Sequence, residues 1–194
     1  MSGGLLVLAP LRIEAFAARR AGRVMRTGMG PDRARAAAAR AAAVPARAVA
    51  VLGFCGALAD DLQPGDLVLA DELRGDGAAL QCQRLPQLVK ELSGSGLTVR
   101  QGPIVSVPKL SRGAERARLA ADGSIAVDME SVWLATAAAD RPFAALRAVV
   151  DTPTRELVRF STMTGGIKAY RALGSAARAL ENWTATLPDP TKET

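Results

Sequence analysis

Short aliphatic runs such as Leu5-Leu6-Val7-Leu8 and Ala48 to Leu52 recur along the chain, separated by Ala/Arg-rich stretches. That alternation limits the fold more than any other feature. Strands without polar alternation need cover on both faces, and the intervening helices supply it. The expected class is α/β, with a mixed, twisted central sheet flanked by helices. At 194 residues one core fits and two do not, so the pattern predicts a single domain over 1–187 and a flexible tail over 188–194.

In chain order the pattern predicts strands at Leu5–Leu8, Arg23–Arg26, Ala48–Leu52, Leu67–Asp71, Leu97–Val107, Ser124–Val127 and Phe143–Val150. Helices are predicted around Glu14 to Ala17, from Pro31 to about Val44, and over Leu85–Leu92, Arg112–Ala121, Glu130–Ala139 and Gly166–Trp183. The third strand is predicted to break at Gly53-Phe54-Cys55-Gly56, and Gly75-Asp76-Gly77 reads as a turn.

The chain has no histidine. Ser-His-Asp and Cys-His hydrolases, imidazole bases and His-ligated zinc are thereby excluded. Two cysteines, Cys55 and Cys82, make neither a disulfide framework nor a CxxC metal site. The sequence calls for no metal and no cofactor. A formal charge of +6 with only 4% aromatic residues points away from nucleic acid, whose single strands need stacking platforms, and leaves a peripheral contact with an anionic membrane as an expectation. The N-terminus has no basic, apolar leader, so the expected location is the cytoplasm.

Ligands of open α/β sheets bind beyond the carboxyl ends of the strands. Glu14, Glu130 and Asp151 stand at three such ends, where they read either as site carboxylates or as first-turn and capping acids. Gly28-Met29-Gly30 sits between a strand and a helix, but Arg33 occupies the place where a dinucleotide fingerprint wants Gly or Ala. Gly53 and Gly56 either admit a ligand close to the backbone or simply turn it. Cys55 has no His to activate it and reads as structural.

Ala126-Val127-Asp128-Met129-Glu130-Ser131 resembles the VEMEA/VDMES signature of the purine and uridine phosphorylase superfamily, which includes the methylthioadenosine/S-adenosylhomocysteine nucleosidases. Four further segments match in family order. Thr27-Gly28-Met29-Gly30 is similar to the SGxG turn, Gly53 to Leu58 and Leu62 to Val68 to GxAGGL…LxxGDVV, and Pro142 to Asp151 to PFxxxRxxSD. Together with Leu11-Arg12-Ile13-Glu14-Ala15, the signature most resembles the hopanoid-associated phosphorylases, thought to remove adenine from an adenosylhopane.

The resemblance implies a three-layer nucleoside phosphorylase-like fold, a purine nucleoside as substrate, water or inorganic phosphate as co-substrate, and a homo-oligomer. It implies Asp151 as the acid that protonates the leaving base, Glu130 as the acceptor of the ribose hydroxyls, and Glu14 as the residue that activates water. Asp128, Met129, Phe54, Cys55 and Gly56 fall in the substrate-binding segments, and Met129 in the place under the ribose. Leu110 falls near the base-stacking Phe of the nucleosidases, which leaves Phe160 as a candidate clamp. Arg12, Gly28 and Gly30 are candidate phosphate contacts. Phe54 stands where relatives carry Ser or Thr, Val51 where the hexameric phosphorylases carry an Arg, and Val150 where Ser precedes the acid. The first two departures argue for hydrolysis over phosphorolysis. The alternatives are a phosphorylase using Arg12 and an inactive nucleoside-binding accessory protein. A short middle region around residues 75–95 implies an open site suited to a bulky 5'-substituent.

Overall fold

The computed structural model describes residues 4–83, 85–152 and 163–188, with Met163 and Thr164 as backbone only. The described strands are β1 (Leu5–Ala9), β2 (Arg23–Arg26), β3 (Ala48–Ala57), β4 (Leu67–Gly75), β5 (Ala78–Gln81), β6 (Val99–Ser106), β7 (Ala126–Asp128) and β8 (Phe143–Asp151). The helices are α1 (Arg12–Ala18), α2 (Pro31–Ala42), α3 (Pro86–Gly94), α4 (Gly113–Ala121), α5 (Ser131–Leu134) and α6 (Met163–Thr186), with a 3-10 turn over Ala135–Ala138 extending α5.

Successive residues of the central strands point to opposite faces, and both faces are apolar. Leu5, Val7, Ala48, Ala50 and Leu52 pack on one side with α1, α3 and α6. Leu6, Leu8, Val49 and Val51 pack on the other with α2 and α5. This period-2 split, with aliphatics on both sides, is what a sheet sandwiched between helical layers requires. The expected α/β class and three-layer arrangement hold.

All eight strands join one mixed sheet in the order β2-β1-β3-β7-β6-β4-β5, with β8 pairing both β3 and β4. β3 runs parallel to β8 from Val49 to Gly56, then antiparallel to β7 at Gly56 and Ala57. Since β4 pairs β8 on one edge and β6 on the other, and β6 pairs β7, strands β3, β8, β4, β6 and β7 close into a ring. The last residues of β3 and β8 and the short β7, which runs back along β3 from Ala57, meet at one rim.

Two expectations need correction. β3 does not break at Gly53 but runs on to Ala57, because β8 pairs with it through both glycines and supplies the ladder bonds that offset glycine's backbone entropy. β4 likewise continues past Asp71 to Gly75 and turns through Asp76 and Gly77, both at positive φ, into the exposed strand β5. No helix among the described residues is long and apolar enough to cross a membrane. Phe160 and residues 189–194 lie outside the described residues.

Candidate active site

The rim holds a cavity of about 290 Å³ whose lining includes Glu14, Glu130, Asp151, Phe54, Met129 and Leu110. Three separate elements bring the three carboxylates together. Glu14 lies in the first turn of α1, Glu130 between β7 and α5, and Asp151 at the end of β8.

Glu14 is 2% exposed. The Leu11 N–H donates to its Oε2 at 2.6 Å and the Phe54 N–H to its Oε1 at 2.8 Å. The first bond is a helix N-terminal cap; the second ties α1 to β3. Burial pushes the Glu14 carboxyl up, against the opposing pull of Arg147.

Glu130 accepts from the Gly30 N–H at 3.1 Å, and its other oxygen stands 3.6 Å from Arg147 Nη2. Burial, offset by Arg147 and reinforced by Asp128, pushes it up to about 7.

Beneath these acids Arg147 is fully buried in β8. Its Nε donates to Ser131 Oγ at 3.0 Å, and its Nη2 lies 2.7 Å from Asp128 Oδ2, an ion pair off the donor's hydrogen-bonding direction. Asp128 also accepts from Ser106 Oγ at 2.6 Å and from the Glu130 and Ser131 N–H groups at 3.2 Å. Asp128, a substrate-binding candidate on sequence, lines the cavity and through these internal partners fixes the turn that carries Glu130.

Two glycines make room for this machinery. A Cβ at Gly53 would collide with Arg147 Nη1 and stand 2.8 Å from Glu14 Oε1; one at Gly56 would collide with Arg116 Nη2 and stand 2.6 Å from Asp151 Oδ1. Both sit on extended backbone, so space rather than φ demands glycine. Gly56→Ala therefore crowds the Arg116–Asp151 pair, and, should Asp151 act on the substrate, activity is expected to fall about 10²-fold, the cost of roughly 1 Å of misplacement. A kcat/KM within threefold of the parent would refute this.

Cys55 lines the cavity but is 4% exposed, and burial pushes its thiol up, which opposes the thiolate a nucleophile needs. Leu110 is 58% exposed at the mouth. Arg12 and Gly28 line a neighbouring cavity, together with Arg26, Arg33 and Arg40; Gly30 serves Glu130. Sequence reasoning missed Arg116 and gave Arg147, the arginine of the PFxxxRxxSD match, no role. An arginine inside an otherwise apolar strand was the available signal for Arg147.

Buried carboxylates converging on an apolar cavity at a sheet rim, steadied by the buried guanidiniums of Arg147 and Arg116, form an arrangement suited to acid/base chemistry on a small ligand. The chain belongs to the phosphorylase superfamily, whose model matches residues 21–178, and so to the enzymes of N-glycosidic bond cleavage. No curated protein matches the sequence.

Solved structures similar to it include a mutant methylthioadenosine nucleosidase of Helicobacter pylori with 5'-methylthioadenosine in its active site. It has 16% identity and a TM-score of 0.77, with 96% of this chain and 100% of that one covered. The S-adenosylhomocysteine nucleosidase of Streptococcus pyogenes, in complex with 5-methylthiotubericidin, is 20% identical with a TM-score of 0.74, covering 97% and 98%. The futalosine hydrolase of Helicobacter pylori is 16% identical with a TM-score of 0.78, covering 96% and 99%.

Proposed function

We propose that this protein is a nucleosidase that cleaves the N-glycosidic bond of a 5'-substituted adenosine and releases adenine, with an adenosylhopane-like compound as the finer reading. The observation that carries it is the convergence of Glu14, Glu130 and Asp151 on one apolar cavity. Cleavage passes through an oxocarbenium-like ribosyl centre, so three tasks fall to three carboxylates.

Asp151 gives its proton to N7 of the purine as the C1'–N9 bond breaks, so the base leaves neutral. Glu14 takes a proton from water as its oxygen bonds to C1'; a carboxyl raised by burial suits a base working near neutrality. Glu130 accepts the ribose hydroxyls, a contact that strengthens as positive charge grows on the ring. Water rather than phosphate is supported by the position of Arg12, which lines the neighbouring cavity and not this one. Exposed Met29 and Leu110 at the mouth suit an apolar 5'-group.

The test is adenine release, read by chromatography, from adenosine, 5'-methylthioadenosine and a 5'-alkyl adenosine, each with and without phosphate. Release without phosphate supports the reading, and preference for the long alkyl chain supports its finer form. Strict phosphate dependence, or binding without release, overturns it.

A pH dependence follows from Glu130. The ionised form accepts the ribose hydroxyls most strongly, so kcat/KM is expected to rise with pH through about 7, and Glu130→Gln to lose Glu130's share of that rise, the share of the Glu14 base remaining, along with about 10²–10⁴ in rate. Stability runs the other way. The native state favours the protonated carboxyl, so this group's contribution is full below pH 4.5 and is lost as pH rises through about 7. The difference in melting temperature between the parent and Glu130→Gln across that window checks the sign.

A further inference from the structure

The cavity's base end carries a group that no motif singled out. Arg116, on α4, is 4% exposed. Its Nη2 donates to the Ala57 carbonyl at 2.7 Å and stands 3.1 Å from Asp151 Oδ1. Both side chains of the pair are buried, at 4% and 8% exposure. The guanidinium is therefore pinned to the end of β3 and through that contact restrains the carboxylate at the end of β8.

Three details say that this restraint is worth keeping. Arg116 Nε is buried without a hydrogen-bond partner among the described residues, a cost that burying an arginine here entails. Gly56 is the residue whose missing Cβ leaves room for Nη2. Position 150, beside the acid, is a partly buried Val packed on the core, so it offers no hydroxyl to hold the neighbouring carboxylate.

We propose that Arg116 is a positioning residue for Asp151, holding its carboxylate toward the leaving base and stabilising the negative charge that grows there as the proton departs. This rests on Asp151 being the leaving-group acid. As the O–H bond of Asp151 breaks and the N7–H bond forms, the electron pair stays on the carboxylate, 3.1 Å from a fixed cation. The interaction is stronger in the transition state than in the ground state, so its loss appears in kcat rather than KM.

The experiment is a double-mutant cycle on adenine release from 5'-methylthioadenosine. Arg116→Gln is expected to lower kcat roughly tenfold to a hundredfold with KM within about threefold, and to cost nothing further in an Asp151→Asn background. Arg116→Lys, which keeps a cation without the planar fork, is expected to recover part of the loss. It also serves as the test should the Gln variant fail to fold.

An equal loss in both backgrounds would show a role independent of Asp151 and overturn the proposal. So would an Arg116→Gln enzyme with unchanged kcat, or a Lys variant no better than Gln at equal melting temperature. If the parent enzyme releases no adenine from any nucleoside, the reading of the function has failed instead, and that outcome is visible before any variant is made.

Discussion

Asp151→Asn is expected to slow adenine release by about 10²–10⁴, the usual contribution of one positioned proton donor. The amide preserves shape and can still donate an N–H bond, but it cannot deliver a proton, so the purine would have to leave as an anion. KM should change little, because ribose contacts and cavity walls stay in place, and the loss should sit in kcat. The variant also deprives Arg116 of its carboxylate, 3.1 Å away in a buried pair, so a lower melting temperature should accompany the kinetic defect. Steady-state rates beside thermal denaturation separate the two effects. An Asp151→Asn enzyme that keeps most of its activity would remove Asp151 from the role of acid.

The second large effect is on stability. Arg147 is the buried cation between Asp128 at 2.7 Å and Glu130 at 3.6 Å, with Glu14 close by across Gly53. Arg147→Met fits the space in volume but leaves those carboxylates in a low-dielectric interior with no counter-charge. Breaking a buried pair from one side costs about 3–5 kcal/mol, which in a domain of this size lowers the melting temperature by roughly 2–4 °C for each kcal/mol. Without the cation the Glu14 and Glu130 carboxyls lose the pull that opposes their burial and are pushed higher, and their protonated forms relieve the strain. The deficit should therefore shrink as pH falls toward 4.5, the unfolded value for a Glu. A variant that melts with the parent at pH 8 would show that the acids do not depend on Arg147.

Much of the fold was legible because burial on both faces leaves unbroken apolar runs. Leu5 to Ala9, Ala48 to Leu52 and Phe143 to Val150 announce themselves, and Glu14, Glu130 and Asp151 stand at the strand ends where α/β sheets bind ligands. Long-range events were not legible. The passage of β3 through Gly53 and Gly56 depends on β8, nearly a hundred residues later, and local propensity argues for a break. β5 is short and wholly exposed, so it leaves no apolar period. Arg147 lies mid-strand rather than at an end, and Arg116 is one arginine of a helix in an Arg-rich chain. The sequence offered a lone arginine in an apolar strand for the first, while only the fold singles out the second.

That ring has a practical consequence. Its rim gathers residues 14, 30, 56, 116, 130 and 151 from six places in the chain, so no fragment carries the site and the unfolded state has no affinity for its ligand. Occupancy is then linked to the whole unfolding equilibrium: a compound at a hundred times its Kd adds about 2.7 kcal/mol. The melting curve thus becomes a reporter, and a panel of nucleosides can be ranked by the heat the protein withstands in their presence, before any turnover is measured.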